Sequence, residues 1–249
     1  MKYIRYFLFL LFKMNLFRTL WINFKMLPWR QARKLPIYIY GRISFRDMTG
    51  KIILAADTIH SGMVKIGKND YYVATSAQKS IWTVAGTLIF HGSARFMQGS
   101  YLMVAKNGTL EIGDGNVLLG SNMRIFCFHH IVIGDYTEMT WDIQIMDTSF
   151  HYIEQTGSDK PASCLTRPVV IGKYVWVGNR TTISKDTVLP DYAIVSSNSL
   201  VNKDFSAHKN GCLIAGIPAE VKKEGVRRVF GRQQEQALDK QYGYSRNHL

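Results

Sequence analysis

The sequence predicts an all-β chain whose body is a left-handed parallel β-helix, with an N-terminal helical extension and a C-terminal capping helix. Three observations predict it. Ile171, Val177, Ile183, Leu189, Val195 and Val201 are all aliphatic, each six residues after the last. An Ile-Gly pair recurs at Ile66-Gly67, Ile112-Gly113, Ile133-Gly134 and Ile171-Gly172. From Ile37 onward short apolar pieces alternate with Gly, Asn, Asp and Ser, and no amphipathic helix of useful length precedes Pro218.

A period of six fits neither the 3.6 residues of an α-helix nor a hairpin protein with turns every 8–12 residues. A strand of about four residues plus a two-residue corner does give six. Three such units close a triangular coil, and coils stack by parallel pairing into a prism. The aliphatic residue then points inward, and Gly, Asn and Asp suit the corners because they tolerate positive φ. The spacing continues less cleanly upstream through Phe90, Phe96 and Leu102, then Leu119, Ile125 and Ile131, then Ile133, Met139 and Ile145, with short slips between the groups.

Residues 1–36 are read as the extension, dense in Phe, Leu, Trp and Tyr. The chain has 249 residues and a formal net charge of +13, unevenly spread. Residues 1–46 hold ten basic side chains (Lys2, Arg5, Lys13, Arg18, Lys25, Arg30, Arg33, Lys34, Arg42, Arg46) and no acidic one. Such an asymmetry points to an anionic partner at the chain's ends. The longest uncharged run, 6–12, is far short of the ~20 residues of a spanning helix, and no signal-peptide cleavage site follows. A helix in the membrane interface suits this composition, and so does a terminal helix packed on the protein's own body or on an oligomer partner. Charge alone would also admit nucleic acid, but no recognised module accompanies it, and none is expected as a partner. Cys127, Cys164 and Cys212 lie far apart and odd in number, which favours a reducing compartment.

The β-helix is placed at 37–218. Twenty-six residues separate Ile145 from Ile171, two more than four hexads, and 154–163 is polar, so a loop about 146–168 is expected to be extruded from a coil. After Val201 the repeat dissolves. From Ala219 a basic helix carrying Lys222, Lys223, Arg227, Arg228 and Arg232 is expected to run to about Gln241 and to cap the prism.

Three segments carry a resemblance: Met146-Asp147-Thr148-Ser149-Phe150-His151, Ile171-Gly172-Lys173-Tyr174-Val175-Trp176-Val177-Gly178-Asn179, and Ala215-Gly216-Ile217-Pro218-Ala219. In kind, order and separation they resemble the hexapeptide-repeat acyltransferases, above all the maltose and galactoside acetyltransferases and the acetyltransferases encoded with bacterial surface-polysaccharide enzymes. The resemblance is strong from Ile133 to Lys223, looser upstream, and absent from the first 60 or so residues.

The resemblance implies His151 as catalytic base, at the start of a loop leaving the prism. An imidazole titrating near 6.5 can take the acceptor's proton at neutral pH, an effect of about 10²–10⁴-fold. Asp147 is expected to orient that ring. Trp176, Gly178, Ser196, Ser197, Ala215 and Gly216 are expected along the pantetheine arm of acetyl-coenzyme A, and Lys222 and Lys223 near its phosphates. The family usually has Gly-Ala-Gly where this chain has Ser196-Ser197-Asn198, which leaves those individual contacts open. His129 and His130 are further candidates for substrate contact.

The resemblance implies a homotrimer with sites between subunits. It would transfer acetyl to a sugar hydroxyl, or an amine, of a surface-polysaccharide or glycolipid precursor, in the cytoplasm or at the inner membrane face. No metal is expected. One alternative is a non-catalytic scaffold of a membrane-associated biosynthetic complex. A second is a γ-class carbonic anhydrase, although that family's two histidines five residues apart have no counterpart here.

Overall fold

The computed structural model describes residues 14–69, 76–160, 162–208 and 211–244. The reading of Lys2, Arg5 and Lys13 lies outside these residues. Among the described residues two helices, α1 (Leu16–Met26) and α2 (Trp29–Ala32), precede twenty-two strands, and α3 (Arg232–Gln241) follows them.

Numbered in chain order, the strands fall into three sheets, parallel throughout except for the last strand of the first. The first holds β1 (Ile37–Ile39), β4 (Val64–Ile66), β7 (Ala94–Phe96), β10 (Val117–Leu119), β13 (Glu138–Met139), β16 (Trp176–Val177), β19 (Ile194–Val195), β21 (Cys212–Gly216) and β22 (Ala219–Glu224). The second holds β2 (Ile43–Phe45), β5 (Ser80–Val84), β8 (Tyr101–Val104), β11 (Arg124–Cys127), β14 (Gln144–Met146), β17 (Thr182–Ile183) and β20 (Leu200–Val201). The third holds β3 (Lys51–Leu54), β6 (Thr87–Phe90), β9 (Thr109–Ile112), β12 (His130–Ile133), β15 (Val169–Ile171) and β18 (Val188–Leu189). The chain visits first, second and third sheet in turn, as the three-sided prism of the expected β-helix requires.

Ile171, Val177, Ile183, Leu189, Val195 and Val201 are each at most 1% exposed, so the six-spaced positions form the inner wall. Each such burial contributes roughly 1.5–3 kcal/mol. A second inward position, two residues earlier, holds Val175, Thr181, Thr187, Ala193 and Ser199. Its buried hydroxyls are satisfied by backbone carbonyls: Thr187 Oγ1 donates to Val201 O at 3.1 Å and Thr181 Oγ1 to Ser196 O at 3.2 Å. In the top coils Trp176 pairs with Ile194 and Thr182 with Leu200, eighteen residues on. Lower down Leu118 pairs with Glu138 and Ala94 with Val117, twenty and twenty-three residues on. Extra corner residues thus account for the slips in the repeat.

Corner residues take positive φ, and several are not Gly, Asn or Asp. Tyr136, Tyr174 and Tyr192 have φ of +56°, +56° and +63° on successive coils. Their rings stack at 4.7 and 5.0 Å, within 3° and 6° of parallel. Stacking is worth about 0.5–1.5 kcal/mol per pair, against about 1–2 kcal/mol for each left-handed residue. The remainder is met by ladder hydrogen bonds such as Tyr174 N–H to Asp135 O and Tyr192 N–H to Lys173 O, both 2.8 Å.

The two ends are closed differently. At the bottom, α1 covers the free edge of β1. Asn23 Nδ2 donates to Ile37 O at 2.7 Å, its Oδ1 accepts from Ile37 N–H at 3.1 Å, and Thr19 Oγ1 accepts from Ile39 N–H at 3.0 Å. At the top, the helix expected from Ala219 is not there. Residues Ala219–Glu224 form β22, antiparallel to β21. Ala219 and Val221 alternate with Glu220 and Lys222, a period of two, and the last parallel strand needs a partner for its open edge. The helix begins only at Arg232, after Gly225 and Gly231, and buries none of its described side chains. The intervening segment runs down the tyrosine corner, with Arg227 over Tyr192 and Phe230 edge-on to Tyr174.

Candidate active site

The chain leaves the second sheet after Met146 and rejoins the third at Val169, so the extruded loop springs from the corner between them. Its base is clamped. Thr148 and Thr166 form an antiparallel bridge, Ser149 N–H donates to Leu165 O at 3.0 Å, and Arg167 N–H donates to Asp147 O at 2.9 Å. From the coil above, Lys185 Nζ donates to Cys164 O at 2.6 Å and to Ser149 Oγ at 3.1 Å. Phe150, at φ +60°, lays its ring edge-on against Phe126 and Phe128, at 5.6 and 5.5 Å. The next residue, His151, is thereby held out into solvent. Its carbonyl accepts from Ser149 Oγ at 3.0 Å, and its ring stays exposed.

Asp147 does something other than orient that ring. Its side chain is fully buried. Oδ1 accepts from Phe128 N–H at 2.8 Å and Oδ2 from His129 N–H at 2.7 Å. The expected pairing with His151 therefore gives way to a staple: the carboxylate ties the loop's root to the corner of the coil below. Two ionic hydrogen bonds to backbone N–H offset the burial of its charge. Burial, with the neighbouring Asp147 charge adding to it, pushes the Cys127 thiol far up, so Cys127 stays a neutral thiol.

His129 occupies the corner and is exposed, whereas His130 faces outward from β12. The sequence reading missed what His130 touches. Glu111 on β9 bridges two rings, Oε1 to His130 Nε2 and Oε2 to His91 Nε2, both at 2.8 Å. The hydrogen bond from His91, then that from His130, holds the Glu111 carboxyl below its usual value. The registers of β6 with β9 and of β9 with β12 bring these residues together; His91, Glu111 and His130 have no regular spacing. Among the described residues no group of three or more His, Cys, Asp or Glu is arranged to hold a metal ion.

The cofactor candidates cluster elsewhere. Trp176 lies on the outer face of the first sheet, between Glu138 below and Ile194 above. Gly178 and Ser196–Ser197 follow β16 and β19 at the corner between the first and second sheets. That approach is tight: a Cβ at Gly178 would sit 2.5 Å from Ser197 N. Ala215 and Gly216 end β21 just above, and Ser199 Oγ accepts from Gly216 N–H at 3.3 Å. Lys222 and Lys223 lie on β22 rather than a helix, and Lys222 Nζ is already 3.0 Å from Glu220. Below Trp176, Glu138 is paired with Arg228 of the returning C-terminal segment. Within one chain, then, the small-residue wall and His151 belong to different corners of the prism, and no described hydrogen bond or ring contact joins them.

No family model matches the chain. WbbJ of Escherichia coli K12, described as a lipopolysaccharide biosynthesis O-acetyl transferase, is 25% identical over 125 residues, 45% of this chain. The match spans 62% of that relative's length. Among solved structures, the polysialic acid-specific acetyltransferase NeuO superposes with a TM-score of 0.50 at 19% identity, covering 81% of this chain and 97% of NeuO. The N-acyltransferase AntD from Bacillus cereus, solved with dTDP and 3-hydroxybutyryl-CoA, gives a TM-score of 0.42 at 13% identity over 87% of this chain and 95% of AntD. The NeuO likeness bears on the fold, the hexapeptide-repeat β-helix described above.

Proposed function

We propose that the protein is a coenzyme A-dependent acetyltransferase acting on a sugar hydroxyl, or an amine, of a surface-polysaccharide or glycolipid precursor. The observation that carries this reading is the placement of His151. It stands exposed on a loop whose root is clamped by Asp147, Lys185 and the Thr148–Thr166 bridge. Likeness to a lipopolysaccharide O-acetyl transferase supports the substrate class.

In this reading the His151 imidazole takes the acceptor's proton as its oxygen attacks the thioester carbonyl. The tetrahedral intermediate then collapses, the carbon–sulfur bond breaks, and the thiolate leaves as the thiol with the proton from the imidazolium. In this reading the backbone N–H of Ser197 meets the arm or the oxyanion, since that of Gly178 already donates to Val195 O at 2.8 Å. As the family resemblance implies, the working unit is a homotrimer in which one subunit's loop faces its neighbour's wall; the separation of His151 from the small-residue wall within one chain supports this. The basic N-terminal end holds it at the inner face of the membrane.

The test is acetyl transfer from labelled acetyl-coenzyme A to a panel of nucleotide- and lipid-linked sugars. His151→Ala is expected to lower turnover by about 10²–10⁴-fold with the melting temperature and assembly mass unchanged. Near wild-type turnover in that variant overturns the reading.

A further inference from the structure

Surface helices normally turn their apolar stripe toward the core. α1 does the opposite. Thr19, Ile22 and Asn23 face the prism and are fully buried, because the edge of β1 demands hydrogen-bonding partners there. At 100° per residue, the opposite stripe consists of Phe17, Leu20, Trp21 and Phe24. All four are exposed, Phe17 to 76%, and Trp29 on α2 extends the stripe at 69%. The ridge is also held in shape, since Trp21 stacks on Phe45 at 5.1 Å and Phe24 lies 5.3 Å from Trp29.

Cations surround this ridge. Arg18 and Lys25 share one flank of α1, Arg30 follows on α2 and Arg33 at its C-terminal cap, and residues 1–46 contain no acidic side chain. Beside it a groove of about 530 Å³ is lined by Lys25, Met26, Met48, Lys51 and Ile53, among others. Lysine beside apolar carbon suits a phosphate and the first methylenes of the chain attached to it. Among the described residues no helix is long and apolar enough to cross a membrane. Tryptophan and phenylalanine edged by Lys and Arg have the composition of a surface that lies in the headgroup–acyl boundary.

We propose that the ridge of Phe17, Leu20, Trp21, Phe24 and Trp29 docks the prism, bottom end down, on an anionic lipid bilayer. This gives a defined face to the membrane contact in the proposed function and rests on that part of it, independently of acetyl transfer. Parallel coils rise about 4.8 Å each, so the fifth coil, which carries the His151 loop, stands roughly 20 Å above the first. Acceptor groups borne on a membrane lipid would be met at that height.

The full chain would be sedimented with vesicles of phosphatidylglycerol and phosphatidylcholine, and with phosphatidylcholine alone. Binding is expected only to the anionic vesicles, with a blue shift of tryptophan emission as Trp21 and Trp29 leave water. Phe17→Glu with Trp29→Glu, the two most exposed positions of the ridge, is expected to abolish sedimentation while melting temperature and assembly mass stay at wild-type values. Arg30→Gln with Arg33→Gln is expected to weaken binding about 25-fold, roughly fivefold per cation. Failure of the wild-type chain to bind anionic vesicles overturns the proposal. So does unchanged binding in the ridge variant, or a fall in its assembly mass, which would make the ridge a contact between copies. If His151→Ala keeps its turnover while vesicles still bind, the acetyl-transfer reading falls and this one stands.

Discussion

Above the His151 loop, from β15 to β20, the prism repeats every eighteen residues; below it, the same three sheets pair residues twenty to thirty-seven apart, as at Leu118–Glu138 and Ile43–Ser80. The interiors differ accordingly. Upper coils are filled by Val177, Ile183, Leu189 and Val195, with the second inward residues Val175, Thr181, Thr187 and Ala193 beside them. In the lower coils one ring from each sheet meets on the axis, Trp82, Phe90 and Phe96, with centroids 4.8 and 6.2 Å apart and Trp82 Nε1 donating to Ser100 Oγ at 3.0 Å. A parallel coil thus tolerates extra residues at its corners, because backbone pairing constrains the strands and not the connections between them. The regular half presents a smooth outer wall suited to an extended ligand. The irregular half carries the exposed aromatic ridge proposed to meet a bilayer.

The largest expected effect lies below the loop. Trp82→Ala removes a fully buried ring shared by three sheets and is expected to cost about 3–5 kcal/mol, against about 0.5–1.5 kcal/mol for Ile183→Val above it. Urea midpoints of the two variants measure the gap, and equal losses would show that the aromatic layer is not the tighter part. At the boundary between the halves, Asp147→Ala orphans the N–H groups of Phe128 and His129, costing about 1–3 kcal/mol each if no water replaces the carboxylate. Turnover is expected to fall along with the melting temperature. If turnover collapses at unchanged stability, Asp147 acts on His151 directly after all.

The smallest effect concerns Glu111 on the lower third sheet. Its folded-state carboxyl is held below the ordinary value of 4.5 by His91 and His130, so its contribution is present above pH 4.5 and is lost as pH falls through the lowered value. Partial exposure keeps it to about 1 kcal/mol or less. Glu111→Gln is expected to flatten that part of the acid melting curve, and an unchanged curve would remove the ion pairs from the stability account.

Legibility in the sequence followed the same division. The six-spaced aliphatics identify the upper wall without any structure, because every coil there has the same length and each inward site sees its own equivalents above and below. His151 is legible because it interrupts that regularity. The second inward position escaped notice, since Thr181, Thr187 and Ser199 look polar until their hydroxyls are seen bonding to nearby backbone carbonyls. The tyrosine corners escaped for a similar reason: Tyr174 is a poor left-handed residue alone and an acceptable one only between Tyr136 and Tyr192.

What the sequence by itself determined is the period, and through it the fold, the loop at 146–168 and the strongly basic N-terminal end. Tertiary structure alone decided where the polar side chains spend their hydrogen bonds. It turned Asp147 from a partner of His151 into a staple of the coil beneath, folded 219–224 back as a strand, and rolled α1 so that Asn23 faces the prism and Trp21 faces out. The physical reason is common to all three. Apolar spacing is a local property read along the chain, whereas an unpaired N–H or carbonyl exists only where the stacking of coils has left an edge or a corner open.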